Sequence, residues 1–398
     1  MNLSKRALQI KPSETLSILE IANKMNDNGD DVVIFGAGEP DFNTAENIKQ
    51  AAIDAINDDF TKYTPGAGIE ELRKAICDKL KRENGLSYKY DQIVVSNGSK
   101  QALLNTFIAI LDYGDEVIIP SPYWVSYPEI VKLAAGVPVI VETEKENCFK
   151  VTRSQLEDAY TEKTKAIILN SPSNPSGMVY SVQELQMIAD FAEEKDIFIV
   201  SDELYEKFIY SSKLKHTSIA TLGKNIYDRT ILINGLSKSH AMTGWRIGYS
   251  ASTKQIAKVI SNIQSHSTSN VNSIAQKAAV EALNGSQDKV FEMVEEFKRR
   301  RDYVAQRVSD IPFLSSLLPK GAFYLFVDIS KLCGNEVSGT KINNASDVAK
   351  ILLDKYKVAV VPCDSFGFEN YIRLSYAISM EHIVKGIDRI EKFIKENF

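Results

Sequence analysis

Residues 237–249 read SKSHAMTGWRIGY and set one lysine, Lys238, among small polar residues directly after an apolar run, with Arg246 eight positions on. A lysine in that setting is a candidate imine-forming amine, because such chemistry needs an amine whose charge is relieved by burial or by neighbouring cations. Arg246 could hold a phosphate. Together they suggest a phosphorylated aldehyde cofactor, although a Ser-Lys beside an Arg, taken alone, is more often a solvated turn.

Four further stretches carry chemistry-bearing residues just beyond apolar runs. Asn97-Gly98-Ser99-Lys100-Gln101 precedes a helical run over 102–111. Backbone N–H groups at a helix start make a phosphate site, while Gly-Ser is also a common helix cap. In Ser121-Pro122-Tyr123-Trp124, Trp124 could stack on an aromatic cofactor or simply pack. The turn over 170–177 places Asn174 beyond another run. Ser201-Asp202-Glu203-Leu204-Tyr205 offers an acid with two readings, a helix cap or a partner for a pyridine ring. There its carboxylate would keep the ring nitrogen protonated so that the ring accepts electrons. Tyr205 and Asn174 could hydrogen-bond the ring hydroxyl. By contrast, Gly36-Ala37-Gly38-Glu39-Pro40-Asp41 only begins like a dinucleotide loop: no third glycine follows, and Pro40 interrupts the helix start. It reads better as a backbone turn that closes against substrate.

The elements that must position these residues are apolar runs at 92–95, 116–119, 165–169, 197–200, 230–233 and 246–249, alternating with helical patterns. Such alternation predicts a mainly parallel sheet covered by helices, an α/β fold that binds ligands outside the carboxyl ends of its strands. After about residue 284 the pattern changes to a long amphipathic helix over 288–309 and strand-like segments at 322–327, 358–361 and 371–374. A second, smaller α/β domain is expected there, with the arm and short helix before Asp31 packed against it. There is no internal repeat or flexible linker.

Composition limits the alternatives. With 44% apolar and 25% charged residues the chain is an ordinary globular protein, and its net charge of −5 gives no general affinity for nucleic acid or an anionic membrane. Cys77, Cys148, Cys333 and Cys363 are far apart, so neither a disulfide framework nor a zinc ribbon is supported, and the four histidines have no metal-ligand spacing. No metal is expected. The N-terminus has no signal-peptide core and no run approaches a membrane span, so cytoplasmic residence is expected.

In combination and order, KPSETL, GAGEPDF, YTPGAG, SPYWVSYPE, NSPSNPSG, SDELYE, SKSHAMTGWRIGY, KGAFY and YIRLSYA resemble a class I aminotransferase of the fold-type I pyridoxal phosphate superfamily, similar to the bacterial aspartate aminotransferases. The resemblance spans essentially the whole chain. It implies a large domain (46–284) with a mainly parallel seven-stranded sheet flanked by helices, an arm that is part of the small domain (1–45) and a small C-terminal domain (285–398). It also implies pyridoxal 5'-phosphate as cofactor. Lys238 would carry the internal aldimine; Ser99, Lys100, Ser237 and Arg246 would line the phosphate end; Trp124 would stack on the ring; and Asn174, Asp202 and Tyr205 would tune it. Arg373 would take the substrate α-carboxylate, near Trp124, Asn174 and the backbone of Gly38. Tyr63 would reach the phosphate of a neighbouring subunit, making a homodimer with shared sites, and the polar run 265–270 would serve the same interface.

The expected reaction is ping-pong transamination between amino acids and 2-oxo acids, aspartate with 2-oxoglutarate giving oxaloacetate and glutamate. A distal carboxylate needs a second cation. The run 265–270 contains no arginine, which leaves Lys100, helped by Lys11, Ser13 and Thr15. Alternatives are an aromatic, prephenate or broad-specificity aminotransferase, or a C–S lyase of the same fold. A transcription regulator built on the fold would need a DNA-binding module ahead of GAGEPDF, where the sequence has only the arm.

Overall fold

The computed structural model describes residues 3–12, 14–211, 214–337 and 339–398. The expectations for Ser13 and for the side chain of Thr15 lie outside the described residues. The main sheet has seven strands in the spatial order Ile93–Asn97, Ile247–Ala251, Thr230–Gly235, Phe198–Asp202, Thr164–Asn170, Glu116–Pro120 and Val137–Val141. Ile247–Ala251 runs antiparallel to both neighbours, and every other adjacent pair is parallel.

The apolar runs are continuous because successive side chains serve opposite faces and both faces are covered. Val117, Ile119, Ala166, Ile168, Val200, Ile231 and Ile233 pack with Leu103, Phe107, Ile130 and Ile260 on one side. Ile118, Ile167, Leu169 and Ile199 face Leu185, Ile188 and Phe191 on the other, where Leu232 and Tyr249 meet Leu72, Ile76 and Ala278. The register sets Asn170 beside Asp202 and Asp202 beside Ile233, so that chemistry-bearing residues emerge at one edge.

Four segments differ from the sequence expectation. Val137–Val141 is a strand that the runs omit: it lies at the sheet edge, contains Pro138 and leaves Val137 and Ile140 exposed, so the burial signal is weak. The run over 358–361 divides. Val358–Ala359 pairs parallel with Val33–Ile34, whereas Val361–Pro362 pairs antiparallel with Tyr371–Ser375, and a change of partner cannot be read from an apolar run. Arg246 precedes its strand with φ +59°, and the helix expected from 102 begins at Ser99, where Gly98 at φ +81° turns the chain.

The C-terminal half centres on a four-stranded sheet ordered Val361–Pro362, Tyr371–Ser375, Tyr324–Asp328 and Ser315–Ser316. The helix Asp288–Ser309 buries Val290, Met293, Phe297, Val304 and Val308, one face at helical spacing, and its Phe297 packs in the same core as Phe323 and Leu325. The N-terminal helix Glu14–Asp27 lies on this half through Ala22, with Val32 and Ala359. The short helix Lys5–Leu8 instead touches Ser126–Leu133, and the Lys11 amide donates to Glu129 at 3.1 Å. Among the described residues no helix is long and apolar enough to cross a membrane.

Candidate active site

The strand ends open into one cavity of about 340 Å³. Lys238 lies three residues beyond Thr230–Gly235, and its Nζ donates to the Gly38 carbonyl at 2.7 Å. Burial pushes its pKa down to about 8; Glu39 opposes that shift, and Arg246 and Arg373 add to it. An amine so placed reaches its neutral, nucleophilic form at about pH 8, well below the pH an ordinary lysine needs.

Asp202 ends its own strand. Burial raises its pKa to about 6, against the stabilising effect of the Tyr127 hydroxyl, which donates to Oδ2 at 2.7 Å, and of the Leu204 amide, which donates to Oδ1 at 3.2 Å. Asn170, beside it in register, donates to the Asp202 carbonyl at 3.0 Å and accepts the Asn174 amide at 2.8 Å, which ties the 170–177 turn to the acid.

Asn174 in turn accepts a hydrogen bond from Arg373 Nη1 at 3.0 Å, and Nη2 donates to the Gly36 carbonyl at 3.2 Å. The guanidinium lies between two rings, 4.4 Å from the Tyr324 centroid and 5.3 Å from that of Phe366. Arg373 Nε is buried with no hydrogen-bond partner among the described residues. A buried guanidinium N–H in that state calls for an acceptor, and a carboxylate matches its fork.

At the opposite end, Ser99 opens the helix Ser99–Ile110 and its hydroxyl donates to the Asn234 carbonyl at 3.0 Å. Glycine is required around it: an added Cβ would stand 2.2 Å from the Ser99 nitrogen at Gly248, 2.7 Å from Ser99 Oγ at Gly235 and 2.3 Å from Arg246 Nη2 at Gly98. Those glycines let the backbone and Arg246 close round the helix start, where free N–H groups favour an anion. Ser237 lines the same end of the cavity. Lys100 Nζ lies 4.9 Å from the Trp124 ring centroid, and burial followed by the charge of Arg246 lowers its pKa. Trp124 stands edge-to-face with Tyr127, with centroids 5.4 Å apart.

Gly38, Ser99, Lys100, Trp124, Asn174, Asp202, Tyr205, Ser237, Lys238, Arg246 and Arg373 thus all line one cavity. Tyr63 is not among them; it is 91% exposed on the surface of the chain. Sequence reasoning missed Tyr127, Asn170 and Tyr324, which line the cavity too. Asn170 carried a signal, as the polar residue directly after the apolar run at 165–169. Tyr127 and Tyr324 carried none beyond membership of SPYWVSYPE and KGAFY, because a tyrosine in a helix or strand reads as core.

Behind the 202–206 turn lies a second buried charge group. Glu203 accepts hydrogen bonds from Ser201, Ser218 and His216, and Glu206 pairs with Lys79 while accepting from Asn84 at 2.7 Å and Asn234 at 2.9 Å. Glu203, Glu206 and His216 present ligand atoms within 4.8 Å of one another, but the Lys79 ammonium already supplies the cation.

The family model "Aminotransferase class I and II" matches residues 30–390. The aspartate aminotransferase of Bacillus subtilis (strain 168) is 47% identical over 400 residues, covering 100% of both chains, and the probable aspartate/prephenate aminotransferase of Aquifex aeolicus (strain VF5) is 47% identical, covering 99% of each. The crystal structure of the Rhizobium meliloti aspartate aminotransferase superposes with a TM-score of 0.95 at 41% identity, covering 100% of this chain and 99% of that one. With a family match over most of its length and relatives this similar from end to end, the chain belongs to the class I and II aminotransferases.

Proposed function

We propose that this aminotransferase moves the amino group of aspartate to 2-oxoglutarate, giving oxaloacetate and glutamate, with pyridoxal 5'-phosphate as the carrier. The observation that carries the reading is the convergence of the Lys238 amine, the Asp202 carboxylate and the Arg373 guanidinium on one cavity that also holds Lys100. The names of the relatives from B. subtilis and R. meliloti support the choice of aspartate.

The residues fit that cofactor. The glycine-lined helix start with Ser99, Ser237 and Arg246 suits its phosphate. Asp202, a carboxylate that burial pushes up, gains most from a cationic ring nitrogen. When bound, pyridoxal 5'-phosphate supplies the aldehyde that takes up the amino nitrogen and a ring that accepts the electrons of the broken Cα–H bond.

The chain does the rest. Arg373 orients the amino acid by its α-carboxylate, with Asn174 holding the guanidinium in place. Lys238 Nζ accepts the substrate α-proton and returns it, roles that an amine with a pKa near 8 can combine. Trp124 would stack on the ring, and Asn174 and Tyr205 would hydrogen-bond its hydroxyl. Lys100, with Lys11, Ser13 and Thr15 from the N-terminal segment, receives the distal carboxylate. Prephenate presents two carboxylates as well, and the name of the A. aeolicus relative supports it as a second acceptor.

The same reading divides the chain into 1–45, 46–284 and 285–398, places it in the cytoplasm and makes it a homodimer in which Tyr63 completes the neighbour's phosphate site; the exposure of Tyr63 supports that direction. Lys238→Ala is expected to abolish both turnover and the visible absorbance of the bound cofactor. Aspartate with 2-oxoglutarate should yield glutamate, in a panel that includes glutamate, tyrosine, phenylalanine and alanine as donors and prephenate as acceptor. Release of ammonia, pyruvate and a thiol from an amino acid with a thioether on Cβ, with no amino group passed from aspartate to 2-oxoglutarate, would mean an eliminating enzyme and would overturn the assignment.

A further inference from the structure

Tyr324 touches both halves of the site. It opens the strand Tyr324–Asp328, which pairs with Tyr371–Ser375 so that Phe326 faces Arg373 and Tyr324 lies two residues away on the same side. From there its ring lies against the Arg373 guanidinium at 4.4 Å, while its hydroxyl lies 2.9 Å from that of Tyr205. The side chain is 1% exposed. One residue of the C-terminal sheet therefore contacts both the residue proposed to read the substrate carboxylate and the phenol proposed to face the cofactor.

The two contacts use different parts of the side chain. The ring gives Arg373 a flat face opposite Phe366, and a guanidinium held between two rings keeps its fork in one plane. The hydroxyl has a directional role. Each phenol has one hydrogen to give, so a Tyr205 that donates to the ring hydroxyl of a bound cofactor must accept from Tyr324. A donor behind it strengthens the bond in front, because hydrogen bonds in a chain polarise one another. The charged and titratable groups around Tyr205 are Tyr324, Arg373, Asp202 and Tyr127.

We propose that Tyr324 is a positioning residue with two separable roles: its hydroxyl orients Tyr205 as a donor to the cofactor, and its ring holds Arg373 flat for the substrate α-carboxylate. The inference rests on the cofactor and substrate reading above. A merely structural Tyr324 would change stability and leave both readouts below in place.

The experiment uses the cofactor-loaded enzyme with Tyr324→Phe, which keeps the ring, and Tyr324→Leu, which removes both parts. In Tyr324→Phe, the pH midpoint of the cofactor's visible absorbance should rise by about half a unit, the effect of one ordinary hydrogen bond made to a single protonation state. Its KM for aspartate should stay within about twofold of wild type. Tyr324→Leu should show the same shift and also raise KM by about tenfold, for aspartate and alanine alike, as Arg373 loses its ring. A Tyr324→Phe midpoint equal to wild type, or an unchanged KM in Tyr324→Leu, would overturn the proposal while leaving the cofactor assignment standing. A wild-type enzyme that develops no visible absorbance with pyridoxal 5'-phosphate would overturn both.

Discussion

The Tyr127 hydroxyl donates to Asp202 Oδ2 at 2.7 Å, with both side chains buried. Trp124 stands just before the helix Ser126–Leu133 that carries Tyr127, so one helix start supplies both a ring facing the cavity and the group that steadies the acid. Desolvation is the larger influence, and the carboxyl still rises to about 6. Asp202 is thus held in place and left short of positive charge, a state that favours a cationic partner.

Asp202→Asn should therefore separate stability from activity. Folding raises this carboxyl from 3.8 to about 6, so the folded state binds more protons across that window and stability falls as pH rises through it. At pH 7 the cofactor-free Asn variant should be more stable than wild type by at most about 3 kcal/mol, with the difference disappearing below about pH 4. Its kcat/KM should drop by about a hundredfold or more. Thermal melts at pH 4 and 7 beside steady-state kinetics check both; equal stability at pH 7 would contradict the buried-charge account.

Lys238 behaves in the mirror sense. Burial lowers its pKa from 10.5 to about 8, so the folded state holds fewer protons than the unfolded one between those values and stability rises with pH through that window. Lys238→Met should be more stable than wild type at pH 7, by up to about 3 kcal/mol, and indistinguishable from it above about pH 10.5. Urea denaturation of the cofactor-free proteins at the two pH values is the measurement, and a constant difference at both would refute the explanation.

Lys100 has no carboxylate partner among the described residues, and both burial and Arg246 disfavour its charge. An incoming distal carboxylate relieves that. Lys100→Ala should reduce kcat/KM for aspartate by about ten- to a hundredfold and for alanine by less than about threefold. Equal losses for the two donors would remove Lys100 from side-chain recognition.

The Lys79–Glu206 pair is a stability element reaching towards the phosphate end, since Glu206 holds Asn234 and the Asn234 carbonyl accepts from Ser99. Although burial alone would raise it, the charge of Lys79 holds Glu206 down at about 2. Its contribution is present above about pH 4.5 and is lost as pH falls through 2. Glu206→Gln, which leaves the buried Lys79 ammonium with Asn84 at 2.9 Å and the Glu83 carboxylate at 3.6 Å, should cost up to about 3 kcal/mol in urea denaturation at pH 7, and the double variant Lys79→Met, Glu206→Gln should recover part of it. A single variant as stable as wild type would show that the pair contributes nothing.

Legibility followed burial pattern. The six runs of the main sheet could be recognised because both faces are covered, so successive positions are apolar. Val137–Val141 could not, because an edge strand with Pro138 and exposed Val137 and Ile140 lacks that pattern. In the site, Lys238, Asp202 and Asn174 stood out as polar residues just past buried runs. Tyr127 and Tyr324 did not, because their partners lie 75 and 119 positions away in the chain and nothing local marks them.

From its amino-acid order alone the chain determined which residue types meet the strand ends, and hence the chemistry of imine, phosphate and carboxylate. Strand ends are local features, set by where a continuous apolar run stops. Tertiary structure decided how those residues behave: which tyrosine steadies Asp202, which ring carries Arg373, and how far burial moves Lys238 and Asp202 from their ordinary protonation. Hydrogen bonds and desolvation depend on which distant segments come into contact, and Arg373 meets Asn174 across 199 positions of chain.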